Sequence, residues 1–349
     1  MPRGRTLRDE ISRSFARFGA EMSAHHSPLY SHLALCMARD PEMLDLAANA
    51  KSTPVTNLFF AAAHSLLLGG AEHPVARFYP SASGETTEMG DPYPPFRSFC
   101  LEHAEEICEI ISSRRVQTNE VRRCALLLPA FGLAAERSGK PLTLVEVGAS
   151  AGLNLLFDRY SYDYGESRCF GDAGSPVQIS CEVRGEPYPP IPARMPEISS
   201  RTGIDLNPLD VRDPESALWL RALIWPEEYA GRAPILERAI ETARLEPPTL
   251  LRGDALDLLP QVLREIPEGA AACVFHTFTL NQFSEQARSR FASLLSGYAK
   301  ERELYRVSIE WLDADDAPLL RFSTFEGGDE RQRVLARCGD HGGWIQWES

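Results

Sequence analysis

Along the first 137 residues the apolar side chains recur at helical spacing, in Ile11, Phe15 and Phe18, in Leu29, Leu33 and Leu35, through Leu58–Leu68 and again through Cys124–Leu133. Strand-like alternation is nearly absent there. Proline and glycine mark breaks at Ser27-Pro28, at Thr53-Pro54 and across Tyr79–Pro95, so this part predicts several helices and one irregular loop. After Ser138-Gly139-Lys140-Pro141, which reads as a linker, short β-rich runs alternate with helical ones. The strand-like runs are Leu142–Val147, Thr249–Arg252, Ala272–His276 and Leu304–Trp311; the helical stretches are Pro214–Leu245, Ala255–Glu265 and Ser284–Lys300. Such alternation marks βαβ units and a mostly parallel sheet. The last runs, Leu319–Phe325, Arg333–Arg337 and Trp344–Trp347, have no helices between them and are expected to finish the sheet as antiparallel strands. Asp213-Pro214 has the form of an N-cap followed by proline in the first turn.

The expected organisation is therefore a helical N-terminal module over residues 1–138 and an α/β domain over 139–349. One stretch fits neither pattern. Residues 160–200 are rich in Gly, Pro and Tyr, contain a single strand-like run at Val177–Val183, and read as an insertion or flap.

Composition narrows the partners. With 349 residues, 44% apolar and 24% charged, the chain has enough apolar surface for a large core plus a smaller module. A net charge of −13 and a pI near 5.2 oppose free duplex DNA, which would need a local basic patch working against the overall field. Eight scattered cysteines with no C-x-x-C pair read as reduced thiols, not as a disulfide frame or zinc site. The N-terminus mixes Arg with acidic residues and lacks the apolar segment of a signal peptide. Leu58–Ala71 falls short of the roughly 20 apolar residues a membrane span needs. A cytoplasmic protein without membrane attachment is expected, and its oligomeric state is left open.

The candidate chemistry begins at Leu144-Val145-Glu146-Val147-Gly148-Ala149-Ser150-Ala151-Gly152-Leu153-Asn154, an apolar strand running into a small-residue turn. A turn of Gly, Ala and Ser lets a ligand approach the backbone, and amides at a helix start offer donors to it. The dinucleotide fingerprint G-x-G-x-x-G would need glycine at 148, 150 and 153, where the chain has Gly148, Ser150 and Leu153; a nicotinamide oxidoreductase is disfavoured. The arrangement instead resembles motif I of class I S-adenosylmethionine-dependent methyltransferases. It matches at Glu146, Gly148 and Gly152, with Ser150 in place of the middle glycine. A tight βα turn without a ligand is the plain alternative. Further matches follow in order: Gly203-Ile204-Asp205, where the family places a ribose-binding acid after its second strand, and Gly253-Asp254-Ala255, where it presents Asp and backbone to the adenine. The plain alternatives are a cap on the turn before Asn207-Pro208 for Asp205 and a helix N-cap for Asp254. His276 ends the fourth run and is a candidate general base near neutral pH or a hydrogen-bonded core residue. Asn281 and Glu310 are lesser candidates.

The resemblance implies a Rossmann-like class I methyltransferase sheet, S-adenosylmethionine held by Glu146, Gly148, Ser150, Gly152, Asn154, Asp205, Asp254 and Ala255, and a small-molecule acceptor. A non-catalytic methyltransferase-like binding or sensor protein is the alternative. The whole chain also resembles the domain of unknown function 2332 (DUF2332) family of uncharacterised bacterial proteins. Three blocks carry the likeness: Ser27-Pro28-Leu29-Tyr30; Asn57 through His64 to Tyr79-Pro80; and Glu146 to Tyr164 with Gly203-Ile204-Asp205-Leu206-Asn207-Pro208-Leu209-Asp210. His64 and Tyr79 either face the cleft or are buried structural residues. No H-E-x-x-H, G-x-S-x-G elbow, P-loop or D/N-P-P-Y/F tetrapeptide is present, and the neighbours His25-His26 have no partner pattern. Metal, serine-hydrolase and NTPase chemistry and amino methylation of nucleobases therefore have no motif here.

Overall fold

The computed structural model describes residues 7–22, 27–84, 90–312 and 315–348; the His25-His26 pair lies outside them. The chain is a mixed α/β protein with a large, mainly parallel sheet and helices, and it divides into two units. One comprises residues 1–118 with 212–234, the other residues 119–211 with 235–349. The boundary thus departs from the linker read at 138–141. The helix ending at Ser138 belongs with the sheet, and a stretch from the middle of the sequence belongs with the helices.

The helical unit holds α1 (Leu7–Met22), α2 (Pro28–Met37), α3 (Pro41–Ala47), α4 (Val55–Leu68), α5 (Pro80–Ser83), α6 (Tyr93–Glu102) and α7 (Ala104–Ser113). Their starts follow local chemistry: Ser27 accepts the Tyr30 amide and Asp40 those of Glu42 and Met43, each ahead of a proline that needs no amide partner. The core is aromatic, with Phe15, Phe59, Phe60, Phe96 and Phe99 fully buried.

In the sheet unit, α8 (Cys124–Ser138) ends on Gly139 in the left-handed conformation (φ 61°) and feeds β1 (Leu142–Val147), every residue of which is buried. Then come β2 (Ser161–Asp163), β3 (Cys169–Phe170), β4 (Gln178–Ser180), β5 (Glu182–Val183) and β6 (Ile198–Asp205). Next is α9 (Pro214–Ala222), part of the helical unit and capped by Asp213 as its sequence predicts. The single long helix expected over Pro214–Leu245 breaks at Trp225, which is extended (ψ 145°) because it precedes Pro226. α10 (Tyr229–Leu245) carries the chain back. β7 (Thr249–Arg252), α11 (Ala255–Arg264), β8 (Ala271–Thr277), α12 (Glu285–Ala299) and β9 (Leu304–Glu310) follow, and β10 (Leu319–Glu326), β11 (Asp329–Cys338) and β12 (Trp344–Trp347) close the chain.

The main sheet has the order β5-β12-β11-β10-β9-β8-β1-β6-β7. Strands β7, β6, β1, β8 and β9 are parallel; β10, β11 and β12 each run antiparallel to the preceding strand. Val145 and Val147 face an apolar core shared with Leu259 and Leu263 of α11 and Phe291 and Leu295 of α12. On the other face Phe131 of α8 packs on Phe275 of β8 at 5.1 Å.

The 160–200 stretch is built into the unit. Strands β2, β3 and β4 form a small second sheet, and β5 pairs with β12 at the edge of the main one. The buried hydroxyls of Tyr160, Tyr162 and Tyr164 donate to the carbonyls of Leu153, Phe157 and Ala125 at 2.7, 2.5 and 2.6 Å. Each such bond stabilises by about 1 kcal/mol net, and together they explain the density of tyrosines read there as an anomaly.

Candidate functional site

From β1 the chain moves outward to β6 and β7, then crosses back to β8 and β9 on the other side. The strand order therefore reverses between β1 and β8. Ligands of open α/β sheets bind outside the carboxyl ends of the strands at such a reversal, because the loops on either side diverge and leave a crevice. The turn after β1, the loop after β6, the start of α11 and the loop after β8 all lie on this edge.

The turn after β1 holds three residues at positive φ: Gly148 (77°), Ser150 (53°) and Gly152 (72°). A non-glycine residue pays a steric penalty there and persists only when its surroundings fix it. Asp205 supplies part of that fixation. Its Oδ2 accepts the Ser150 amide at 2.8 Å and its Oδ1 the Asn207 amide at 2.8 Å, while its carbonyl accepts the Gly253 amide at 2.9 Å. The loops after β1, β6 and β7 are thus tied through one residue. Asp254 accepts the Leu256 amide at 2.8 Å and N-caps α11, with Ala255 buried as the first helical residue.

Glu146 points to the opposite face from Val145 and Val147 and is 1% exposed. Its Oε1 accepts from Nδ2 of Asn154 at 3.3 Å; its Oε2 has no hydrogen-bond partner. Burial drives its pKa well above the ordinary carboxylate range, with the Asn154 bond only partly offsetting this. Asn154 also accepts from the Cys124 thiol at 3.4 Å. Leu153, which opens a short 3₁₀ turn after Gly152, gives its amide to Oδ1 of Asn119 at 3.0 Å.

The structure thus brings Glu146 to Asn154, and Ser150 to Asp205 and the Gly253-Asp254 turn. His276 stands apart from them. It pairs across the sheet with Ser308, not with the residues opposite Glu146, so the two side chains leave opposite faces. It is fully buried. Its Nδ1 donates to Oε1 of Glu310 at 2.6 Å and its Nε2 accepts from Nε of Arg306 at 3.1 Å. Burial lowers the imidazole pKa despite Glu310 beside it. Both ring nitrogens are engaged, which gives the neutral ring a supporting role and leaves none free to take a proton from an acceptor. Burial pushes Glu310 upward, but His276 and two amides outweigh it and hold the carboxyl below its usual range. The same Oε1 accepts the amides of Thr279 and Leu280 at 3.0 and 3.1 Å. Glu310 thereby shapes the loop after β8, in which Phe278 also has positive φ (53°).

Sequence reasoning missed Asn119, Arg123 and Phe278. Arg123 is 7% exposed, donates to the Asp340 carbonyl at 2.8 Å and to Oγ1 of Thr277 at 3.3 Å, and lies 4.2 Å over the Phe278 ring. The only signal was a polar run, Asn119-Glu120-Val121-Arg122-Arg123, directly before a strongly apolar helix.

The sequence profile of a family described as an uncharacterized protein conserved in bacteria (DUF2332) matches residues 12–347. The chain belongs to the DUF2332 family. A comparison with curated proteins finds no match. Among the described residues of this DUF2332 protein, no helix is long and apolar enough to cross a membrane, and no group of three or more His, Cys, Asp or Glu is placed to hold a metal ion. All eight cysteines are free thiols, five of them buried and Cys169 exposed.

Proposed function

We propose that the carboxyl edge of this sheet binds S-adenosylmethionine and that the protein transfers its methyl group to a small-molecule acceptor. One observation carries the reading: three adjacent parallel strands, β1, β6 and β7, each deliver an acidic residue to the same edge, Glu146, Asp205 and Asp254, beside the strand-order reversal. That is the order in which the class I methyltransferase pattern uses them. The unpartnered Oε2 of Glu146 suits a bound donor, since a buried polar atom left unsatisfied costs about 1–3 kcal/mol. A carboxylate, with its two oxygens and about four lone-pair sites, is the kind of group suited to accept ribose hydroxyls.

When bound, the sulfonium would supply an activated methyl group. The chain's residues would hold it and position the acceptor in line, which is most of what such a transfer requires. In this reading His276 acts at a distance, by holding Glu310 and the loop after β8.

A second reading, a protein that binds the cofactor or its product without turnover, is favoured by the engagement of both His276 nitrogens. Calorimetric titration with S-adenosylmethionine and its demethylated product, on wild type and on folded Asp205→Ala and Asp254→Ala variants, tests the site. Micromolar binding lost in the variants supports it; no binding at millimolar ligand overturns it. Methyl transfer to an acceptor separates the two readings.

A further inference from the structure

Two of the family-like blocks, Ser27-Pro28-Leu29-Tyr30 and Asn57 through Tyr79-Pro80, have no part in the sheet-edge site. Both lie in the helical unit, where they converge on one cluster. His64 of α4 is fully buried. Its Nδ1 donates to the Ala222 carbonyl at 3.0 Å and its Nε2 accepts from Oγ of Ser81 at 2.7 Å. The carbonyl fixes the tautomer, leaving the lone pair of Nε2 directed at the serine. Ser81 itself is only half-buried, at the start of α5, one residue beyond Tyr79-Pro80.

The Tyr79 ring lies 5.6 Å from the imidazole, and Tyr30 stands 6.2 Å from Tyr79. Both tyrosines are at least 98% buried, and their hydroxyls pair with each other with no further partner among the described residues. Two buried phenols that have only each other leave hydrogen-bonding capacity that a bound group could meet. Burial keeps both in the protonated, donating form. A nucleophile bonded to a base, a base oriented by a third group, and hydroxyl donors alongside are the parts of an acyl-transfer site.

We infer that Ser81 and His64 form a nucleophile–base pair that cleaves small carboxylic esters, with the Tyr79 hydroxyl as donor to the substrate oxygen. Ser81 Oγ bonds to the carbonyl carbon as its proton passes to Nε2 of His64. The ester C–O bond breaks, and that proton leaves with the alcohol. Water then attacks the acyl-serine, returning its second proton to Ser81 by way of His64 and releasing the acid. No G-x-S-x-G elbow is needed, because the serine is presented by the Tyr79-Pro80 turn. The sequence alone could not pair residues 17 positions apart with a carbonyl 158 positions further on.

The test uses the full chain and two probes, a fluorophosphonate that labels activated serines and p-nitrophenyl acetate. Mass spectrometry is expected to find the phosphonate on Ser81, with labelling abolished in Ser81→Ala. In His64→Gln the labelling rate should fall by about 100-fold, the scale of a positioned base. Because burial lowers the His64 pKa to about 4, the acid limb of the ester pH–rate profile should fall near 4 and not near 6.5. Should His64→Gln fail to fold, Tyr79→Phe, which removes only the hydroxyl, should lower ester turnover about 10-fold or more. An unlabelled Ser81 in folded protein, beside a serine hydrolase labelled in the same tube, overturns the inference. So does labelling that proceeds equally well in a folded His64→Gln variant, or ester turnover unchanged in Tyr79→Phe.

Discussion

Oγ1 of Thr279 fills the space that a side chain on Gly148 would need: a Cβ built there would lie 2.4 Å from it. The same hydroxyl donates to the Val147 carbonyl at 3.1 Å, so the loop after β8 is locked against the turn after β1. Gly148→Ala should lose stability on two counts, the left-handed φ of 77° and the clash. The expected loss is about 2–3 kcal/mol, read as a lower urea midpoint. Adding Thr279→Ala should recover the clash share and leave the backbone share, so a double variant no better than the single would refute this account of the glycine.

Glu146 sets binding against stability. Its folded pKa is raised, so the folded form holds a proton that the unfolded chain releases above about 4.5, and its contribution declines as pH rises through that range. Glu146→Gln should therefore raise the urea midpoint at pH 8 more than at pH 5. If the sheet edge binds S-adenosylmethionine, the same variant should weaken that binding. Equal shifts at both pH values would remove the buried carboxyl from the explanation.

His64 works with the opposite sign. Its pKa falls from 6.5 unfolded to about 4 folded, so the unfolded chain takes up the proton first and stability is lost as pH drops through that window. The loss amounts to on the order of 3 kcal/mol by pH 4. Hydrogen exchange of α4 at pH 7 and pH 4.5 should show the change, and a folded His64→Gln variant should flatten it.

Glu310→Ala would leave the Thr279 and Leu280 amides and Nδ1 of His276 without their acceptor. A buried donor left without an acceptor costs about 1–3 kcal/mol, and three lose theirs here. An unfolding free energy within about 1 kcal/mol of wild type would mean that water or another group takes over the loop.

Much of the fold was legible. Short β-rich runs alternating with helical stretches located β1, β7, β8 and β9, and the lack of helices after Glu310 foretold the antiparallel strands. The acidic residues at the strand ends were legible because a strand, a turn and a helix cap are all local. Cross-strand register was not: the face His276 takes depends on pairing with Ser308, thirty-two residues away. Nor was the place of Arg123, whose partners Thr277 and Asp340 lie more than 150 residues downstream. The glycines carried a double meaning. Gly148 and Gly152 suggest room for a ligand, yet part of that room is taken by Thr279, Pro248 and Leu250.

The helical unit is assembled from two stretches of chain, and the carbonyl that orients His64 sits on Ala222, 158 residues after it. A ribosome reading from the N-terminus therefore delivers α1 to α7 long before the residues that complete them. By the time Ala222 emerges, β1 and β6 have already been made. The nascent helices must wait, with His64 unpartnered on its Nδ1 side, through the synthesis of nearly half the protein, so a premature stop anywhere before residue 234 would leave both units unfinished.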